Sequence, residues 1–131
     1  MKYDYGVVIL NYNTSEDAIL AAQSVIKNAE NRSFIICLVD NASSKKGELE
    51  KLGTMRSVHC EILSIKSNGG YARGNNEAVR FLLSRYSLRH VVMMNPDVQI
   101  LTMGTIDRLL NRLDALPPKY CGIQPLVWTP Y

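Results

Sequence analysis

Apolar residues fall along the chain in blocks that alternate between two periodicities. Tyr5-Gly6-Val7-Val8-Ile9-Leu10 and Phe34-Ile35-Ile36-Cys37-Leu38-Val39 are nearly continuous apolar runs rich in β-branched residues, the pattern of strands covered on both faces in a parallel sheet. Between them Ala18, Ile19, Ala22, Val25 and Ile26 share one helical face, with Thr14 the expected N-cap and Asp17 three residues on. A weakly patterned helix over 48–55 leads to a third expected strand over 58–65. Ala78, Leu82, Leu83 and Tyr86 line a further helix, and Val91-Val92-Met93-Met94 reads as a strand buried on both faces. A last helix begins near Thr105, turns Ile106, Leu109, Leu110 and Leu113 inward, and is stopped by Pro117-Pro118. Residues 120–128 read as an edge strand broken by Pro125, with Trp128 packing there. Strand and helix alternate throughout, so right-handed crossovers predict a three-layer α/β/α domain with a mostly parallel sheet.

Each expected strand ends in a polar cluster. Asn11-Tyr12-Asn13 follows the first, Asp40-Asn41-Ala42-Ser43-Ser44 the second, and Asn95-Pro96-Asp97 the fourth, while Asn68-Gly69-Gly70-Tyr71-Ala72-Arg73-Gly74 opens a helix. In an open parallel sheet all of these lie on one rim, where such folds bind ligands. The carboxylate of Asp97 and the amide oxygen of Asn95 can share a hard cation completed by water and phosphate oxygens. Gly69, Gly70 and Gly74 let backbone approach a ligand, and a helix amino terminus beside Arg73 suits a phosphate. Taken singly, the same residues are ordinary turn chemistry: Asp40 and Asp97 as caps, Asn11 and Asn13 as turn formers, Arg73 as a surface charge, Tyr71 as a lid on the core. Their convergence on one rim favours a ligand site.

Composition narrows the class without naming a chemistry. A chain of 131 residues, 47% hydrophobic and without low-complexity tracts, is expected to be a single domain over 1–131. The formal charge of +3 is mild and the cations are scattered, so no nucleic-acid partner is expected. Cys37, Cys60 and Cys121 lack metal-ligand spacing and read as reduced core thiols. His59 and His90 lack a second ligand at metal spacing and read as structural. The amino terminus carries no signal-like segment, so the chain is expected in the cytoplasm, able to work at the inner face of the membrane.

Together, Val8-Ile9-Leu10-Asn11-Tyr12-Asn13, Val39-Asp40-Asn41-Ala42-Ser43, Asn68-Gly69-Gly70-Tyr71-Ala72-Arg73-Gly74-Asn75-Asn76 and Asn95-Pro96-Asp97-Val98 resemble the family-2 glycosyltransferases of GT-A fold, in particular the rhamnosyltransferase-like branch. The resemblance covers the nucleotide-sugar half of that family. It implies an inverting transferase of polysaccharide biosynthesis, moving sugar from a UDP- or dTDP-linked donor to a glycan or lipid-linked acceptor. By position, Asn11, Tyr12 and Asn13 match the nucleoside loop and Asp40 matches the carboxylate that accepts the base imide N–H, with Asn41 beside it. Asn68, Gly69, Gly70 and Arg73 match the segment near base and diphosphate. Asp97 matches the carboxylate that binds Mg2+ or Mn2+, and Asn95 stands where the family's first aspartate would.

The family's general base lies in an acceptor-binding half downstream. Asp107 and Asp114, the acids after Asp97, read as solvent-facing helix positions, so no base is expected in this chain. The expectation is a donor-binding portion that transfers sugar poorly alone and is completed by a downstream half or by a second copy against 124–128. Two other classes stay open. One is a non-catalytic nucleotide- or partner-binding module. The other is a receiver- or flavodoxin-like signalling domain, which would need an acidic pair where Asn11-Tyr12-Asn13 stands.

Overall fold

A computed structural model describes residues 1–127. The chain runs β1 (Lys2–Asn11), α1 (Ser15–Asn28), β2 (Phe34–Asp40), α2 (Glu48–Gly53), β3 (Cys60–Ser64), α3 (Tyr71–Arg85), β4 (Ser87–Met94) and α4 (Thr105–Asp114). The four strands form one sheet in the order β3-β2-β1-β4, every pair parallel. β1 and β2 are therefore central, and β1, β2 and β4 lie side by side.

Alternation within β1 and β2 builds two cores. Tyr5, Val7, Ile9, Phe34, Ile36 and Leu38 meet Ala18, Ala22 and Val25 of α1, Leu52 of α2, and Ile106 and Leu110 of α4. Val8, Leu10, Ile35, Cys37 and Val39 meet Ala78 and Leu82 of α3 on the other face. With both faces covered, the two strands need apolar residues at every position, which is why they lack a period-2 pattern. Gly6 makes the second contact possible, because a Cβ there would lie 2.8 Å from Leu88 Cδ1 and 3.0 Å from Leu82 Cδ1.

Several expectations change. β4 begins at Ser87 and is half-exposed along much of its length, since only β1 pairs with it among the described residues. Residues 120–127 form no strand, and Trp128 lies outside the described residues. An alternating apolar stretch becomes a strand only with a partner, and Pro125 leaves few free amides to recruit one. Cys37 and Cys60 are buried, whereas Cys121 is exposed. Leu83 and Ile26 also face outward. Asp107 is buried, not solvent-facing: its Oδ2 accepts from the amides of Asn31 at 2.9 Å and Arg32 at 3.2 Å. Two backbone donors of the turn before β2 thereby gain a charged acceptor, which outweighs the preference of an acid for water. Asp114 accepts from Arg32 at 2.8 Å and Arg89 at 3.0 Å, with His90 Nε2 also 3.0 Å away. No helix among the described residues is long and apolar enough to cross a membrane.

Candidate functional site

The register of the sheet sets the site. Asn11 and Asp40, the last residues of β1 and β2, are direct neighbours, and β4 ends beside them at Met94. All three strands thus release polar residues on one rim.

On the β1–β2 side the groups are buried and mutually bonded. Asn11 is fully buried, with Nδ2 donating to Asp40 Oδ1 and to Ser43 Oγ, each at 3.3 Å. Its Oδ1 accepts from the Thr14 amide at 2.9 Å and the Thr14 hydroxyl at 3.1 Å. Thr14 makes no side-chain cap of α1. That task falls to Glu48, whose Oε2 accepts from the Ser15 amide at 2.8 Å. Burial opposes ionisation of Glu48, but the hydrogen bond from the Ser15 amide holds its carboxyl below the ordinary range.

Asp40 is 6% exposed, and its Oδ2 takes only a long contact of 3.4 Å from the Ser43 amide. Asn13 has a left-handed backbone at φ 63°, which Asn tolerates well. Its side chain donates to Ser44 Oγ and accepts from the Lys45 amide, both at 2.9 Å, so it ties the two loops together. Ala42 is also left-handed, at φ 56°, a conformation that costs a non-glycine residue roughly 1–2 kcal/mol. Tyr12 is exposed at the lip of the rim.

The glycine-rich segment is clamped from beneath. Asn41 Nδ2 donates to Asn68 Oδ1 at 3.1 Å, and the same oxygen accepts from the Gly70 amide at 2.9 Å. Gly70 has φ 88°, the left-handed turn that launches α3. Gly74 serves packing, not ligand approach: a Cβ there would lie 2.7 Å from Leu10 Cδ1 and 3.3 Å from Asn41 Cγ. Its absence lets the first turn of α3 sit against the ends of β1 and β2. Arg73 folds back over Gly69 and pairs with Glu77 at 2.9 Å.

The β4 side is open. Asn95, at the end of β4, and Asp97 are both exposed, and the Val98 amide donates to the Asn95 carbonyl at 3.2 Å to close the turn. Asn95 Oδ1 accepts from the Tyr71 hydroxyl at 3.1 Å. Among the described residues no group of three or more His, Cys, Asp or Glu could hold a metal ion. Asn95 and Asp97 offer one neutral and one carboxylate oxygen, the donor type that hard divalent cations take. Beside them a groove of about 720 Å³ follows the outer edge of β4, lined by Tyr71, Asn95, Val92, Met94, Ile106 and Leu110.

The residues expected at the site, Asn11, Tyr12, Asn13, Asp40, Asn41, Asn68, Gly69, Gly70, Arg73, Asn95 and Asp97, lie at or just after the carboxyl ends of the four strands. Sequence reasoning missed Glu48, which lies in a weakly patterned helix and gives no local signal. It also missed the contact of Tyr71 with Asn95, which joins residues 24 apart in sequence.

No family model matches the chain. The chain is 31% identical over 105 residues to the low-salt glycan biosynthesis hexosyltransferase Agl10 of Haloferax volcanii, an alignment covering 76% of this chain and 30% of that protein. Its fold resembles that of S. aureus TarS residues 1–349, with a TM-score of 0.64 at 17% identity, covering 87% of this chain and 32% of the other. The chain thus spans about a third of the length of these relatives.

Proposed function

We propose, from the premise that the chain is a glycosyltransferase-like domain with a GT-A-like fold, that it is the donor-binding portion of an inverting glycosyltransferase. Its ligand is a UDP- or dTDP-sugar, and the acceptor is a glycan or a lipid-linked glycan. The observation that carries this reading is the meeting of the ends of β1, β2 and β4 with the clamped start of α3 on one rim. Asp40 reads the base: an ionised carboxylate accepts the imide N–H of uracil or thymine, and cytosine offers no such proton. Asn41, Asn68 and the turn at Gly69 and Gly70 shape the floor, while Tyr12 lies at the lip beside the base.

Arg73 exchanges Glu77 for a diphosphate oxygen, a charge-assisted contact at least as strong as the exposed pair it replaces. Asp97, with Asn95 supplying a neutral oxygen, holds Mg2+ or Mn2+ against the same diphosphate. The cation, when bound, neutralises charge on the departing diphosphate. The general base is not supplied by Asp107 or Asp114. Asp107 is committed to the turn before β2, at the opposite end of the strands, and Asp114 to Arg32 and Arg89. Acceptor binding and proton abstraction therefore come from a further part of a longer protein or from a second copy, working in the cytoplasm at the inner face of the membrane.

Calorimetric titration of this chain with UDP, dTDP, CDP, GDP and ADP, each with and without Mn2+, tests the reading. UDP or dTDP should bind tightest, and more tightly with metal. Equal binding of all five, or of none, would overturn it.

A further inference from the structure

The loop after β2 brings an uncommitted hydroxyl proton next to Asp40. Ser43 Oγ accepts twice, from the Asn13 amide at 2.9 Å and from Asn11 Nδ2 at 3.3 Å. A hydroxyl has two lone pairs and one proton, so both acceptor positions are taken and the proton is left to donate. Among the described residues no acceptor takes it. Ala42, left-handed at φ 56°, turns the chain so that the Ser43 amide reaches back to Asp40 Oδ2 at 3.4 Å. Asn11 Nδ2 bridges Asp40 Oδ1 and Ser43 Oγ and so holds the two side chains next to each other. Asn11 itself is fully buried, whereas Ser43 is half-buried and within reach of a ligand seated on Asp40. This part of the rim thus presents a hydrogen-bond acceptor with a donor beside it.

From this geometry we propose that Ser43 is a specificity-determining residue for the base: its hydroxyl donates to a carbonyl oxygen next to the imide N–H that Asp40 accepts. The proposal rests on the donor-binding reading above. In uracil and thymine the imide N–H lies between two carbonyl oxygens, so whichever way the base is turned, a donor beside the Asp40 carboxylate meets a carbonyl. Cytosine has no N–H at that position, and guanine has a carbonyl on one side of its ring N–H and an amino group on the other. Asp40 and Ser43 therefore read two adjacent groups of one edge, and a base that fails to match leaves both unpaired. Ser43 also serves the fold, as the acceptor for Asn11 and Asn13. A test must separate that acceptor role from the donor role.

Calorimetry with UDP, 2-thio-UDP and 4-thio-UDP on wild type, Ser43→Thr and Ser43→Ala makes the separation. Sulfur accepts hydrogen bonds weakly, and exchanging it for a base oxygen leaves the protein untouched. In wild type one of the two thio analogues should bind about fivefold more weakly than UDP, for loss of one neutral hydrogen bond. Ser43→Thr keeps the hydroxyl and should reproduce that difference. Ser43→Ala should bind UDP about fivefold more weakly and no longer distinguish it from that analogue, because the contact is already gone. Wild type that binds UDP and both thio analogues equally overturns the role of Ser43 and leaves donor binding intact, even should Ser43→Ala fail to fold. A thio penalty that persists at full size in folded Ser43→Ala overturns it too. Failure of wild type to bind UDP at all removes the donor reading, and the role of Ser43 with it.

Discussion

The two sides of the rim are built differently. On the β1–β2 side, Asn11, Asp40, Asn13 and Ser43 are buried or half-buried and spend their hydrogen bonds on one another. On the side formed by β4 and the start of α3, Asn95, Asp97, Tyr71 and Arg73 are exposed, and the contacts they make are single and solvent-screened. Buried networks are costly to leave incomplete, whereas an exposed hydrogen bond or ion pair is worth about 1 kcal/mol or less. The first side is therefore set before any ligand arrives, and the second is free to rearrange around one. A pyrimidine base needs a fixed acceptor to be told from other bases; a diphosphate with its cation needs groups that can move toward charge.

Breaking the rigid side should have the largest effect. Asn11→Leu removes the Asn11 donor from Asp40 and Ser43 and the acceptor of the Thr14 amide, and should destabilise the fold by about 3 kcal/mol, read as a lower urea midpoint at unchanged m. The same change should abolish nucleotide binding, since Asp40 loses its orienting donor.

Asp40→Asn leaves the fold nearly intact and should weaken UDP by about 1–3 kcal/mol, because the amide can turn a donor toward the imide. Asp97→Ala sharpens the contrast, removing the metal-dependent increment of affinity and leaving metal-free binding unchanged. If Asp97→Ala weakens both equally while Asp40→Asn weakens neither, the roles of the two sides are reversed.

Gly74→Ala tests how the two sides are joined. The new methyl meets Leu10 and should cost about 1–3 kcal/mol by overpacking, whereas Gly53, with nothing within 4 Å of its Cβ position, should accept Ala at no cost. Thermal melts of the two variants give the comparison directly.

Glu48→Gln gives the smallest effect and a pH signature. The folded carboxyl lies below its ordinary 4.5, so its stabilisation is present above that value and is lost as pH falls through the folded pKa. Wild type should therefore lose stability below about pH 5 more steeply than Glu48→Gln. At neutral pH the variant should be about 1 kcal/mol weaker, for loss of the charged cap on α1. Parallel slopes in acid would remove Glu48 from that role.

The sequence carried the rim because every central strand ends where its apolar run ends, and Asn11, Asp40 and Asn95 sit at those breaks. It did not carry what depends on neighbours far away in the chain. Four apolar residues at 91–94 read as a strand buried on both faces, yet Val91 and Val92 are half-buried and Met93 is exposed. Asp107 reads as a first-turn acid facing water, but the free amides of Asn31 and Arg32, some 75 residues earlier, turn it inward. Residues 120–127 have strand-like composition, but Pro125 has no amide to give to a ladder, and the segment forms no strand. Gly74 reads as room for a ligand, and only the position of Leu10 shows that the room is taken by the sheet. Cys37 was legible from its apolar setting, and burial pushes its thiol up to about 12. Cys121 has apolar neighbours in sequence too, but it lies exposed after α4.

The most direct test of the account is an amide NMR titration of the chain with UDP and Mg2+. Shifts should concentrate at residues 11–13, 40–44, 68–75 and 95–98, the four segments that reach the carboxyl rim. On adding metal to a UDP-saturated sample, 71 and 95–98 should move again while 11–13 and 40–44 stay in place. Shifts centred instead on 31–33 and 107–114, at the opposite end of the strands, or no shifts at all, would contradict it.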